Sequence, residues 1–205
     1  MNVYTRNIFP RLMESSLSLP EAMALRGSLL APVQGQTLEI GIGGGLNLFC
    51  YPPGLRHITA VDVHDQMLQT AAERAKQAGM TVDFHPISAE RLPFADASFD
   101  SVVSTWTLCS IPNVAQALAE VHRVLKPNGQ LYFLEHGLSP NRWIRICQNG
   151  LNPVQKIIAA GCHLNRDIPS LLQYAGLVAD HMRTFYLRCL PPTHGYSYMG
   201  SAGKE

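Results

Sequence analysis

Two acidic residues and a run of glycines carry the clearest chemical signal in the chain. Gly41, Gly43 and Gly45 alternate with other residues directly after the apolar stretch "TLEIGI", and Glu39 stands two residues before the first of them. Glycine lets a backbone turn sharply and lets a ligand approach where a Cβ would exclude it. Asp62 lies near the end of a second apolar stretch, "HITAVDV", where a carboxylate can accept two hydrogen bonds from ribose hydroxyls. A ribose-bearing cofactor explains both features. A tight strand-to-helix turn without a ligand is the alternative for the glycines, and a helix N-terminal charge the alternative for Asp62. The dinucleotide fingerprint G-x-G-x-x-G needs a glycine where this chain has Leu46, so a nicotinamide dinucleotide is disfavoured.

These residues need a scaffold that brings strand ends together, and the chain supplies alternating strand-like and helix-like segments. After the first two strands, Leu68, Ala71, Ala72, Ala75 and Ala78 repeat at helical spacing with Gly79 as the stop. "MTVDFHPIS" reads as the third strand and "FDSVVSTW" as the fourth. "VAQALAEVHRVL" reads as a helix that "KPNG" ends, and "QLYFLEH" as the fifth strand. The first 140 residues thus read as repeated βα units, with ligands expected at the carboxyl ends of the strands.

Composition narrows the class. With 205 residues, 46% of them hydrophobic, the chain suits one α/β domain with a sizeable core. A formal net charge of +1 leaves no excess of cations for a nucleic-acid backbone, so no nucleic-acid partner is expected. No apolar run approaches the roughly 20 residues of a membrane span, and the N-terminus lacks the order of a signal peptide. A cytoplasmic protein is the expectation. Cys50, Cys109, Cys147, Cys162 and Cys189 include no C-x-x-C pair, which fits reduced thiols rather than a metal site.

The E-x-G-x-G-x-G run, the acidic end of the second strand, "AERLPFADASFDSVVS" and "LAEVHRVLKPNGQLYFLEH" together resemble the class I S-adenosylmethionine-dependent methyltransferases. The resemblance spans about Leu38 to His136. It implies a single Rossmann-like α/β domain at 37–205, with a mostly parallel seven-stranded sheet, helices on both faces and an antiparallel last strand. It also implies S-adenosyl-L-methionine as cofactor. On this resemblance the glycine loop packs beneath the methionine and ribose parts, Glu39 orients that loop or the amino group, and Asp62, with Val63 beside it, holds the ribose. Met67 covers the adenine, while Ser88 and Ala89 line its pocket, although related enzymes often carry Asp where this chain has Ser88. Ser104 and Thr105 lie near the methionine end.

"YPPG", "STWTLCSI", "LEHG" and "GCHLNRD" are further similar to the small membrane-associated alkyl thiol methyltransferases of animals and their bacterial relatives. The chain is similar to the ubiquinone/menaquinone-type methyltransferases as well. The first group implies a small, lipophilic thiol as acceptor. This sequence shows no long apolar N-terminal anchor like that of the animal enzymes, so membrane residence is not carried over.

Glu135 and His136 end the fifth strand beside the expected methyl-transfer point, where His136 can act as a proton acceptor or simply pack. Trp106, Cys109, His163, Asn165, Arg166, His194 and Tyr196 are candidates for the acceptor pocket, each with an ordinary core, cap or loop role as its alternative. Asn165 or Asp167 starts a helix that Gly176 ends. Residues 1–36 read as a helical lid, whose apolar stripe Ile8, Phe9, Leu12, Met13 and Leu17 also suits peripheral contact with lipid. The expected form is a monomer or homodimer. Three readings stand: a thiol methyltransferase, a methyltransferase of phospholipid amines or quinones, and a non-catalytic cofactor-binding module.

Overall fold

Strands that are buried on both sides lie at the centre of a parallel sheet, and β1 (Thr37–Ile40), with all four residues buried although two of them are polar, is the clearest case. The computed structural model describes residues 14, 17–188 and 190–205. Around β1 it assembles β2 (His57–Val61), β3 (Thr81–His85), β4 (Phe99–Thr105), β5 (Leu125–His136), β6 (Leu177–Tyr186) and β7 (Tyr196–Lys204) into one sheet in the order β3-β2-β1-β4-β5-β7-β6. The first five strands pair in parallel, and β7 runs antiparallel between β5 and β6. The chain thus reverses its direction of winding between β1 and β4. That is where such sheets open a crevice at the carboxyl ends of the strands.

Alternation along each strand sends neighbouring residues to opposite faces, and each face has its own core. Val102 and Phe133 join Leu118 and Val121 of one layer, while Val103 and Leu134 join Leu29, Leu30 and Ala71 of the other. The helices carry the spacing that this requires. In α2 (Asp65–Ala78), Leu68, Ala71 and Ala75 are buried, and Gly79 ends the helix at φ +64°. In α3 (Val114–Val124), Asn113 caps the start by accepting from the Gln116 amide, a contact worth about 1 kcal/mol.

α1 (Pro20–Leu30) packs into the second core through Leu29 and Leu30, so this part of the expected lid segment is a layer of the fold. Of the expected N-terminal apolar stripe, Leu17 is described and Ile8, Phe9, Leu12 and Met13 lie outside the described residues. A second difference concerns "KPNG". It does not separate helix from strand: β5 begins at Leu125, opposite Phe99, and pairing resumes with Gln130 opposite Ser101. Lys126–Gly129 form the bulge between, tied down by Lys126 Nζ on Asp100 Oδ1 at 2.7 Å.

Three helices complete the chain. α4 (Arg142–Ile158) starts on Asn141, which accepts from Trp143 and Ile144, and it leaves Trp143, Ile146, Val154 and Ile157 exposed along its outer face. α5 (Ile168–Tyr174) is capped by Asp167, which resolves the choice between Asn165 and Asp167. α6 (Pro192–Gly195) is a single turn before β7.

Candidate active site

At the end of β1 the chain turns under β2. Gly41 N donates to Val61 O at 2.8 Å, and Gly43 N donates to Asp62 Oδ2 at 2.8 Å. Gly41 sits at φ +68°, and a Cβ there would lie 2.2 Å from Thr107 Cγ2, so both conformation and space demand glycine. Above Gly43 the space is different: the nearest atom to a Cβ is Met67 Cε at 3.7 Å. Asp62 Oδ1 accepts from His64 N at 2.9 Å and meets His64 Nδ1 at 3.0 Å. That hydrogen bond raises the His64 pKa against its partial burial. The glycine loop, Asp62 and Met67 are therefore gathered at one place, while Val63 is exposed at the start of the same turn.

Beneath this loop lies a buried polar network that joins the expected Glu39 and Thr105 to Arg26, Asn47 and Tyr51. Arg26 of α1 donates to Asn47 Oδ1 at 2.5 Å and to Thr105 Oγ1 at 2.9 Å, and its guanidinium lies 4.8 Å from the Trp106 ring centroid. Asn47 and Tyr51 in turn donate to the two oxygens of Glu39, each at 2.8 Å. Burial pushes the Glu39 carboxyl up to about 7, against those hydrogen bonds and Arg26. Glu39 is 1% exposed, so it holds the turn Leu46–Phe49 and Tyr51 in place from below. The N-terminal segment also reaches the loop: Glu14 pairs with Arg74, which donates to Gly44 O at 2.8 Å.

The remaining predicted cofactor residues are spent on the protein itself. Ser104 Oγ donates to Glu135 Oε1 at 2.6 Å, and Thr105 Oγ1 takes Arg26 and Asn47. Ser88 pairs with Glu90, and Ala89 is buried in the first core.

The other half of the crevice lies at the ends of β4 and β5. Glu135 Oε1 also accepts from Thr107 N at 3.1 Å, and burial raises its carboxyl to about 7. His136 Nε2 lies 3.2 Å from Cys162 Sγ. The Cys109 thiol is held well below its usual range by a hydrogen bond from Cys162 and by His136, whereas donating to Cys109 and burial push Cys162 up. Burial works against a charged His136, and Cys109 outweighs it. Arg166 donates to Leu108 O and to Ile111 O, the latter at 2.5 Å, and so clamps the loop after β4. Among the described residues, Trp106 Nε1, Glu135 Oε2 and His136 Nδ1 are buried without a partner. His163 bonds Cys109 O, Asn165 bonds Asn149, and His194 bonds Thr193 and Gln155, so these candidates hold loops together. Tyr196 packs between Tyr186, whose ring is tilted against it, and Tyr198, which it meets edge to face.

Comparison with known proteins places this architecture. Residues 38–133 match the model of a methyltransferase domain. The chain is 35% identical over 170 residues to the thiol S-methyltransferase TMT1A of Homo sapiens, covering 78% of this chain and 68% of that protein. It is 38% identical over 136 residues to TMT1B of Rattus norvegicus, covering 63% of this chain and about half, 54%, of the relative. Over 81 residues it is 41% identical to the ubiquinone/menaquinone biosynthesis C-methyltransferase UbiE of Brucella anthropi, 38% of this chain and 31% of that one. An S-adenosylmethionine-dependent methyltransferase structure from Mesorhizobium loti shares the fold, with a TM-score of 0.64, 18% identity, and coverage of 92% of this chain and 100% of that one. The chain belongs to the class I S-adenosylmethionine-dependent methyltransferases, and S-adenosyl-L-methionine is its cofactor. The residues fit that group: Gly43 leaves open backbone beside Met67, and the Asp62 carboxylate retains acceptor capacity beyond the two amides that it holds.

Proposed function

We propose that this chain transfers a methyl group from S-adenosyl-L-methionine to a small, lipophilic thiol. The observation that carries the reading is the set of buried, unpartnered polar atoms at the ends of β4 and β5, beside the glycine loop. Buried polar groups are nearly always paired, so such a cluster points to a ligand that supplies the partners. The thiol is supported by the relatives TMT1A and TMT1B, whose matches cover more of this chain than the UbiE match does.

The bound cofactor supplies an activated methyl on a sulfonium. The protein's task is then alignment and exclusion of water, from which well-oriented pairs gain about 7–11 kcal/mol. Gly41, Gly43 and Gly45 lie beneath the methionine and ribose parts, Asp62 holds the ribose hydroxyls, Val63 and Met67 flank the adenine, and the backbone at Ser88 and Ala89 borders it. Ser104 and Thr105 act by fixing Glu135 and Arg26. Glu135 and His136 are the groups that take the acceptor's proton as its sulfur attacks the methyl carbon. When bound, the cofactor would supply the methyl group and, as leaving group, would keep the electron pair of the broken bond on its own sulfur. A lid over the acceptor end is the role we assign to residues 1–17, of which Glu14 pairs with Arg74, itself a donor to Gly44 O of the glycine loop.

Calorimetric titration with S-adenosylmethionine, S-adenosylhomocysteine and NAD, followed by release of S-adenosylhomocysteine with an alkyl thiol, tests this. Binding of the first two with thiol-dependent release is expected. Binding without release on any acceptor would leave a non-catalytic cofactor-binding module. A second reading, a phospholipid amine or a quinone as acceptor, is favoured by the exposed apolar face of α4. Cosedimentation with liposomes, together with turnover on a quinone but not on a thiol, would establish it instead.

A further inference from the structure

The methyl-transfer reading uses His136 but not the two thiols against it. Cys109, His136 and Cys162 each place a ligand-capable atom within 4.8 Å of the others, and His136 Nε2 stands 3.2 Å from Cys162 Sγ. They come from three parts of the fold: the loop after β4, the last residue of β5, and the loop between α4 and α5. None is more than 9% exposed.

The backbone around all three is held independently of the side chains. His163 N donates to Cys109 O at 2.9 Å, Arg166 grips Leu108 O and Ile111 O, and Gln148 Nε2 donates to both Gly137 O and Leu164 O at 2.9 Å. The three donors are therefore positioned by the fold before anything binds between them.

We propose that Cys109, His136 and Cys162 bind one thiophilic divalent cation of the zinc class. Two thiolates and a neutral imidazole are the donors that such a cation prefers, and their two negative charges balance its own, which suits a buried site. Zinc–sulfur bonds of ~2.3 Å and zinc–nitrogen bonds of ~2.0 Å give tetrahedral edges of roughly 3.5–3.8 Å between ligand atoms, a spread that this cluster reaches with small side-chain adjustments. Three protein ligands leave the fourth position open, as in zinc sites that handle a substrate. Resting on the thiol reading above, the acceptor takes that position as a thiolate: the S–H proton leaves, and the sulfur lone pair that binds the cation is held ready for the methyl carbon. With Nε2 on the cation, His136 Nδ1 carries hydrogen and donates, so proton acceptance falls to Glu135.

The test is anaerobic titration of the reduced chain with Co2+, read by thiolate-to-cobalt charge transfer and tetrahedral d–d absorption, with Zn2+ as competitor. One equivalent, displaced by Zn2+, is expected. Cys109→Ser and Cys162→Ser should each weaken binding by more than the roughly 10–100-fold that outer-shell partners control. Cys147→Ser, at an exposed cysteine, should leave binding unchanged. Titration of each variant with S-adenosylhomocysteine checks that it is folded. A chain that binds S-adenosylhomocysteine but shows no tetrahedral cobalt spectrum overturns the site while leaving the methyltransferase reading intact. So does unchanged Co2+ binding in Cys162→Ser, or loss of two thiols to a Cys109–Cys162 disulfide without metal uptake. An alkyl thiol should shift the charge-transfer band where the matching alcohol does not; a cobalt spectrum indifferent to thiol overturns the open position and leaves a structural ion.

Discussion

The two halves of the crevice are built on opposite plans. At the ends of β1 and β2 the polar side chains are mostly closed on one another: Arg26, Asn47, Tyr51 and Glu39 form a continuous network that leaves only Arg26 Nε among these atoms unpartnered, and both Asp62 oxygens hold loop amides. At the ends of β4 and β5, Trp106, Glu135 and His136 each leave a buried atom without a partner. A half that presents rigid backbone to a cofactor can satisfy most of its own side chains in advance. A half that must receive a second, variable molecule keeps polar atoms in reserve, at the cost of their desolvation. The same chain thus separates a preorganised cofactor floor from an acceptor end whose pairing is incomplete.

The sharpest way to break that contrast is to open the closed half. Arg26→Leu removes the cation from beside Glu39 and strips donors from Asn47 and Thr105, so urea unfolding should show a loss of about 3–5 kcal/mol. Survival without measurable loss would mean that the network is not what fixes the floor. Gly41→Ala forces a side chain into a left-handed backbone against Thr107, and calorimetry with S-adenosylhomocysteine alongside unfolding should show a combined cost of about 2–4 kcal/mol. Asp62→Ala should weaken cofactor binding by about 1.5–3 kcal/mol, and unchanged affinity would remove Asp62 from the ribose site.

Smaller effects sharpen the comparison. Deleting residues 1–17 should lower thiol turnover more than cofactor affinity, and an equal fall in both would assign the segment to the floor alone. The last prediction follows from Glu39, whose carboxyl is raised from 4.5 to about 7 by burial. Below pH 4.5 it is protonated whether the chain is folded or not. Between 4.5 and 7 the unfolded chain ionises first, so this group makes stability fall as pH rises, with the full cost present above 7. Glu39→Gln should flatten that part of the stability profile, and an identical slope in both proteins would show that Glu39 is already ionised in the folded state.

Legibility followed the same division. The spacing of Leu68, Ala71 and Ala75 and the stop at Gly79 were enough to place α2, because helix burial repeats locally. The strand at Gln130 was readable, but its extension back to Leu125 was not, since "KPNG" carries every local signal of a turn and only pairing with Phe99 makes its first residue strand. Ser104 and Thr105 illustrate a finer limit: their position at the end of the fourth strand was legible, whereas their hydroxyls turned inward to Glu135 and Arg26. Arg26 itself offered one faint sign, a single cation within the apolar stretch "PEAMALRGSLL". Tyr51 stood out only as the start of "YPPG", and Asn47 offered nothing beyond its nearness to the glycines.

From the sequence alone came the alternating βα order, the glycine loop at Gly41–Gly45, the acid at Asp62 and the methyltransferase class. The βα order, the glycine loop and the acid rest on residues close together in the chain, where periodicity and backbone geometry act over a few positions, whereas the class rests on the resemblance of several motifs to a known family. Tertiary structure alone decided that Arg26 lies under that loop and that Cys109, His136 and Cys162 meet. Those residues are far apart along the chain, no local spacing couples them, and only the folding of β4, β5 and the α4–α5 loop onto one end of the sheet brings a histidine between two thiols.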